Sequence, residues 1–440
     1  MHKHYSLLLL LLATCFFAAA QPIISSFSPK AGPAGSSVTI LGKNFNDTTT
    51  KNIVYFGAVR ASVVTASSTQ LVVTVPVSAS YEPITVITGG LSASSNTPFI
   101  VTAISADTKI INTSSFADAK YFTTGGGGPR SVITEDLDND GKPEIIVTNQ
   151  ASNQVSIFRN KSTSTYDSFP APTLLAGGAG TFGLATGDLN GDGKKEIIIT
   201  NMNGGNSSTI SIFPNTSTDS AIAFGAKFDS TVGNGVLSVF VKDINNDGKA
   251  DLLAISGNSS LIHYFLNTGT NGNFGFAAAK TINLIPFRAD YISMADMNGD
   301  GRADIVTTFS TGGNTGIRIL QNTSDSINIS FGISKNYQVG SVLPLKTITA
   351  DIDVDGKPDL AFGFSGSANI YLYKNSSTSD SIKLDSLLML PTTANPGSFS
   401  FADIDGDGKP DLLVPNRDSN SVAVYPNKST PNGFVFGNKT

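Results

Sequence analysis

The chain has one cysteine, no tryptophan, three histidines and only 14% charged residues in its 440 positions. The cysteine is Cys15, inside an apolar run from Leu7 to Phe17 that follows a charged start at His2, Lys3 and His4. With Ala18, Ala19 and Ala20 placed before Gln21, residues 1–20 read as a secretory signal cleaved after Ala20. Thr14 before Cys15 and Phe16-Phe17 after it fit a lipoprotein box poorly. The mature chain then has no thiol, so metal must replace the covalent staples common outside cells. Two histidines leave with the signal. His263 remains, in the strand-like stretch Leu261-Ile262-His263-Tyr264-Phe265. Histidine triads, cysteine nucleophiles and histidine-ligated zinc are thereby excluded. After Phe17 no apolar run is long enough to span a membrane as a helix. No basic stripe points to nucleic acid. The missing tryptophan removes the best surface for stacking sugar rings, leaving tyrosines such as Tyr291, Tyr337 and Tyr371.

What is present is a repeat. The pattern Asp-x-(Asp/Asn)-x-Asp-Gly-x-x-(Asp/Glu) occurs six times, at intervals of 52, 55, 53, 55 and 52 residues. Its oxygen-bearing positions are one, three, five, seven and nine, counted from the first aspartate. Loop one holds Asp136, Asp138, Asp140, Lys142 and Glu144; loop two holds Asp188, Asn190, Asp192, Lys194 and Glu196. Loop three holds Asp243, Asn245, Asp247, Lys249 and Asp251; loop four holds Asp296, Asn298, Asp300, Arg302 and Asp304. Loop five holds Asp351, Asp353, Asp355, Lys357 and Asp359; loop six holds Asp403, Asp405, Asp407, Lys409 and Asp411. Oxygen-only ligands favour Ca²⁺, up to six ions, over zinc or iron. Position seven is always basic, which suits a residue giving its backbone carbonyl to the ion and its side chain to water. Position twelve is apolar, Val147 and Ile199 in the first two copies, so these are not EF-hands. Asx turns between strands need no metal, but a turn does not require a carboxylate at position nine in every copy.

The loops hold 21 of the 34 carboxylates, leaving 13 acids against 29 bases elsewhere. The net charge of −5 is therefore local to the loops, and six Ca²⁺ would move it to +7. At ten times the dissociation constant each ion would add about 1.4 kcal/mol of stability. β-Branched runs such as Ile145-Ile146-Val147 follow each loop, and position two is always Leu, Ile or Met, so each unit reads strand, metal loop, strand. An asparagine closes each unit: Asn160, Asn215, Asn267, Asn322, Asn375 and Asn427. All but Asn267 begin an Asn-x-Ser/Thr sequon, read here as a turn rather than a glycan site. Nine residues later comes Phe169, Phe224, Phe276, Phe331, Leu384 or Phe436, with Phe116 opening the first unit on the same register.

These loops, with the Phe-Gly pairs at Phe224-Gly225, Phe331-Gly332 and Phe436-Gly437, resemble FG-GAP and VCBS repeats. That resemblance implies an integrin-α-like β-propeller of four-stranded blades over residues 103–440, with calcium loops on one face. Phe436 opens a seventh unit just before the sequence ends. Either a ring of six closes on itself or a seventh blade is cut short, and the anchors favour the second. From Pro22 to Thr102 short β-type runs alternate with turns, as in a small sandwich. Ile24-Ser25-Ser26-Phe27-Ser28-Pro29, Ala31-Gly32-Pro33-Ala34-Gly35 and Val54-Tyr55-Phe56-Gly57 resemble the IPT/TIG family of immunoglobulin-like domains, assigned to residues 21–102. The expected chain is all-β: an immunoglobulin-like sandwich followed by a six- or seven-bladed propeller.

The acids outside the loops, among them Glu82, Glu135, Asp229 and Asp290, are scattered without an obvious pair. The expected function is therefore non-catalytic: a secreted or surface protein binding an extracellular protein or polysaccharide, or adhering through one. A carboxylate-based polysaccharide-degrading enzyme and a passive surface stalk are the alternatives.

Overall fold

A computed structural model of the chain describes residues 20–102 and 120–438, apart from short stretches at 164–166, 206, 234, 257–259, 270–271, 285–287, 312–313, 341–343, 365–366, 393–397 and 417–420. The signal sequence up to residue 19, Cys15 and Phe116 lie outside the described residues.

The first domain is one antiparallel sheet that folds over itself, with strands in the order Ile23–Ser28, Ser37–Lys43, Gln70–Thr74, Val59–Ser67, Asn52–Phe56, Pro83–Thr88 and Leu91–Pro98. Alternation makes it a sandwich. Val38 and Ile40 are fully buried while Leu41, next along the same strand, points out, and Leu71 and Val73 repeat the pattern on the neighbouring strand. Phe56 meets Phe99 edge to face at 5.2 Å in the centre of this core.

The repeats form six further antiparallel sheets, the blades. In blade one the strands Pro129–Glu135, Glu144–Asn149, Gln154–Phe158 and Thr173–Ala176 pair in sequence order, and the metal loop joins the first to the second. Blades two to five repeat this, beginning at Thr181–Gly187, Val236–Lys242, Arg288–Ala295 and Pro344–Ala350. The second strand of each blade is the most hidden: every residue of Glu196–Asn201, Asp251–Ser256 and Asp359–Phe364 is buried. A strand apolar on both faces must be covered on both, and neighbouring blades supply the cover. Ile198 packs in a cluster shared with Val236 and Val239 of blade three, and Ile197 in one shared with Leu137 and Ile146 of blade one. Equivalent clusters join blades three and four, four and five, and five and six. Each fully buried Ile or Leu contributes about 1.5–3 kcal/mol by leaving water.

The first strand of blades one to five carries a register shift near its start, as between Pro129 and Val132 or Thr181 and Leu184. Such bulges bend and twist a strand. Nothing in the alternation of residues had pointed to them.

The sixth sheet contains Ser400–Ala402, Asp411–Asn416 and Ser421–Tyr425 among the described residues. Phe436 bridges back to Asn427, just as Phe224 bridges to Asn215 and Phe276 to Asn267. It packs with Phe434 against the core between blades five and six. Phe436 thus belongs to blade six and opens no seventh unit, and the arrangement is six-bladed. Among the described residues no helix is long and apolar enough to cross a membrane.

Candidate metal centres

All six loops share one backbone design. The glycine at position six has φ between 83° and 90°, a left-handed conformation that L side chains disfavour. This turns its N–H back onto the position-one carboxylate at 2.7–3.0 Å. The position-seven N–H reaches position-five Oδ1 at 2.8–3.1 Å. The side chains at one, three and five are thereby gathered towards a common point.

The position-nine carboxylate is at most 1% exposed in every loop. One oxygen accepts the position-two N–H at 2.8–3.0 Å. The other accepts the N–H of the blade's closing asparagine at 2.7–3.3 Å. A carboxylate has about four lone-pair sites, so capacity remains for an ion.

Desolvation dominates the acidity. Burial pushes Glu144, Glu196 and Asp359 up to about 8, and Asp251, Asp304 and Asp351 up to about 7, with neighbouring carboxylates adding to the rise. Backbone N–H bonds oppose it without winning.

Two features test whether a cation suits these residues. Ligand oxygens of Asp136, Asp138 and Glu144 lie within 4.8 Å of one another, as do those of Asp351, Asp353 and Asp355 and those of Asp403, Asp405 and Asp411. In addition Asp351 Oδ1, Asp353 Oδ1 and Asn245 Oδ1 are buried without a hydrogen-bond partner. An orphaned buried acceptor is costly, and a hard cation held by oxygens is what such atoms accept. The residues fit a hard metal ion. The other position-one, -three and -five side chains stand in the same frame.

At position seven the side chains do not all go to water, as the sequence suggested. Lys194, Lys357 and Lys409 donate Nζ to Ser217 O, Ser377 O and Ser429 O at 2.7–2.8 Å, and Arg302 Nε to Ser324 O at 2.8 Å. Each thereby ties the loop to the turn after the closing asparagine of its own blade.

That asparagine does more than turn the chain. Nδ2 of Asn215, Asn267, Asn322, Asn375 and Asn427 donates at 2.7–2.9 Å to the position-two carbonyl of the preceding blade: Leu137, Leu189, Ile244, Met297 and Ile352. A second bond goes to the position-eight carbonyl of its own blade. With both amide hydrogens committed, these five side chains staple blade to blade. The spacing had singled them out, but their partners lie 75–78 residues away.

The immunoglobulin-like domain sits on the metal-loop face. Tyr55 OH bonds Asn139 Oδ1 of loop one at 3.2 Å and Gly193 O of loop two. Gln21 Nε2 donates to Asp243 Oδ2 at 3.1 Å, and Ser92 N to Gly248 O at 2.7 Å, both in loop three. Lys195, at position eight of loop two, bonds Gly57 O at 3.0 Å and pairs with buried Glu135 at 2.8 Å, while burial pushes that carboxyl up to about 7.

Elsewhere, His263 stands in the strand Leu261–Phe265 and burial lowers its pKa. Tyr371 stacks on Phe362 at 5.4 Å, and Tyr337 packs in the same cluster between blades four and five, so both are structural. Tyr291 remains 43% exposed.

In fold the chain is similar to an Agrocybe aegerita lectin described for its specific recognition of non-reducing terminal N-acetylglucosamine, at 18% identity over 71% of this chain and 80% of that one, with a TM-score of 0.51. It also aligns with an auxiliary nutrient binding protein from Bacteroides thetaiotaomicron, at 13% identity over 92% and 95% of the two chains and a TM-score of 0.35. A third alignment, with the exotype rhamnogalacturonan lyase YesX, has 12% identity, 92% and 65% coverage and a TM-score of 0.37. Among curated proteins no sequence matches this chain. Residues 22–101 match the IPT/TIG domain, and residues 136–199, 188–254, 243–307 and 351–414 each match the FG-GAP-like repeat, these four together taking in more than half of the sequence. The chain belongs to the FG-GAP-like repeat family and carries an IPT/TIG domain ahead of its repeats.

Proposed function

We propose that this is an exported, non-catalytic ligand-binding or adhesion protein whose six-bladed propeller is held in shape by calcium in its six loops. The reading divides the chain into a signal at 1–20, cleaved after Ala20, an IPT/TIG domain at 21–102 and the propeller at 103–440. The observation that carries the calcium assignment is the set of orphaned buried oxygens, Asp351 Oδ1, Asp353 Oδ1 and Asn245 Oδ1, inside cages that contain only oxygen ligands. The ligand of the whole protein is an extracellular protein or polysaccharide. Fold likeness to a lectin supports binding in general and no particular sugar.

Geometry favours one face for that ligand. The metal-loop face is occupied by the immunoglobulin-like domain, so the free face is the opposite one. There the hollow lined by Phe122, Thr124, Gly126, Pro129 and Ser152 opens at the start of blade one.

The test is calorimetric titration of residues 21–440 with calcium, followed by screening of the loaded and chelated protein on glycan and matrix-protein arrays. About six ions bound and saturable, calcium-dependent capture support the proposal. Absence of calcium uptake refutes the metal assignment, and turnover of a polysaccharide refutes the non-catalytic one.

A further inference from the structure

The loops divide by their third position, and the division extends to a residue outside the loop. Loops one, five and six carry Asp138, Asp353 and Asp405; loops two, three and four carry Asn190, Asn245 and Asn298. In each aspartate loop a cation spans the outer oxygens of positions three and five. Arg159 lies 2.7 Å from Asp138 Oδ2 through Nε and 3.5 Å from Asp140 Oδ2 through Nη2. Lys374 Nζ bonds Asp353 Oδ2 and lies 2.6 Å from Asp355 Oδ2. Lys428 Nζ lies 3.2 Å from Asp405 Oδ2 and 3.1 Å from Asp407 Oδ2.

The asparagine loops make the same link through the amide, and in loop four Arg302 Nη1 also lies 3.7 Å from Asp300 Oδ2. Asn190, Asn245 and Asn298 donate Nδ2 to position-five Oδ2 at 3.3, 3.2 and 3.1 Å. Arg159 and Lys374 stand just before their closing asparagines, whereas the asparagine loops have Pro214, Leu266 and Gln321 there. In loop six Pro426 takes that place and Lys428, just past Asn427, supplies the charge. The contact to the next blade is matched too. Arg159 Nη2 donates to Asp219 O, four residues after Asn215, at 2.8 Å. Asn245 and Asn298 Nδ2 donate to Ser326 O and Ser379 O, four residues after Asn322 and Asn375, at 3.1 Å.

Four carboxylates less one cation leave the same three negative charges as three carboxylates. The cation does not take the ion's place: Lys374 engages Asp353 Oδ2, while Oδ1 of the same residue is buried and unpartnered. We infer that Arg159, Lys374 and Lys428 are positioning residues that act as counter-ions of loops one, five and six, so that these loops present to calcium the charge and geometry that loops two and three have without them. This rests on the reading of the loops as calcium sites.

A double-mutant cycle at loop one tests it, using Asp138→Asn, Arg159→Leu and the pair, read by calcium calorimetry and by melting in chelator. Groups behind metal ligands change affinity by about 10–100-fold when removed. Asp138→Asn alone leaves Arg159 against three carboxylates, one negative charge fewer than in the wild-type loop, and one site in six should separate as weaker by about tenfold or more. Arg159→Leu alone should lower the melting temperature in chelator and make that site's affinity depend more steeply on salt. The pair copies loops two and three and should return both readouts close to wild type. The same cycle at loop six, Asp405→Asn with Lys428→Met, involves a half-exposed lysine and guards against a variant that fails to fold. Additive effects, with the pair as impaired as the product of the singles, overturn the inference alone. A wild-type chain that takes up no calcium overturns the calcium reading and this inference with it.

Discussion

Replacing Asn375 by alanine should destabilise the protein far more than the same change at Asn160, although the two stand at equivalent places in the sequence repeat. Asn375 is fully buried, and its side chain makes three bonds: to Met297 O of the preceding blade at 2.8 Å, to Pro358 O at 2.8 Å, and from Ser377 N at 2.9 Å. Alanine leaves two carbonyls and one N–H buried without partners, each worth about 1–3 kcal/mol. Water entering the small cavity recovers part, so the expected loss is about 3–5 kcal/mol. Asn160 is half-buried and bonds Pro143 O and Ser162 N, both within its own blade. Solvent replaces those bonds, and the expected loss is about 1 kcal/mol. Asn375→Asp keeps the shape but sets a carboxylate against two carbonyls, and should be at least as harmful as alanine. Urea unfolding at saturating calcium, followed by midpoint and slope, measures all three. Equal midpoints for Asn375→Ala and Asn160→Ala, or a harmless Asn375→Asp, would refute the view that these side chains hold blade to blade.

Acidity gives a second prediction. Because Glu144, Glu196, Asp251, Asp304, Asp351 and Asp359 are raised to about 7–8 when folded, the metal-free folded chain holds more protons than the unfolded one, so its stability should fall as pH rises from about 4 to about 8. Saturating calcium should abolish that fall, and melts that gain stability with pH in chelator would contradict it. Gly191→Ala and Gly299→Ala introduce similar strain, at φ 74° and 78°, of about 1–2 kcal/mol. A Cβ at Gly191 would lie 2.7 Å from Gly90 Cα while one at Gly299 meets nothing, so only the first should shift the immunoglobulin-like domain and raise the radius of gyration in X-ray scattering. Amide exchange in chelator should rise at Leu189 and Asn267 before it rises at Ile198; simultaneous loss would count against calcium acting at blade interfaces.

The loops were legible because each is local: nine consecutive residues carry the ligands, and the β-branched run that follows marks the next strand. The alternation of Val38, Ile40, Leu71 and Val73 likewise sufficed to read a sandwich. Contacts across blades were not legible. Asn215 could be read as a turn residue, but its bond to Leu137 O depends on how blades stack. The counter-ions left a trace that was overlooked: Arg159 and Lys374 accompany an aspartate at position three, about 20 residues upstream, and no local rule links them. The bulges of the first strands and the seat of the first domain on the loop face follow from shape, which residue periodicity does not record. The extra Phe-Gly at Phe436 suggested a seventh unit because the repeat in the sequence is offset from the blade in space: the final strand of blades one to three follows the next phenylalanine, and that of blades four and five starts at Phe331 and Leu384.

That offset explains how calcium in the loops would couple to ring geometry. The position-two peptide of loops one to five is held on both sides: Leu137 N–H by Glu144 and Leu137 C=O by Asn215, whose own N–H is held by Glu196. Glu196 in turn holds Leu189, which receives Asn267, held by Asp251. The same links continue through Ile244, Asn322, Asp304, Met297, Asn375, Asp359, Ile352 and Asn427 to Asp411. One hydrogen-bonded belt therefore runs through all six blades, and a position-nine carboxylate sits at every joint. Hydrogen bonds to an ionised carboxylate are roughly twice as strong as those to a neutral one. Buried without metal, these carboxylates tend to hold protons, and a proton on either oxygen turns an acceptor into a donor facing an N–H. Bound calcium would keep them ionised. Its contribution would thus fall less on the loop that holds it than on the joint between that blade and the next.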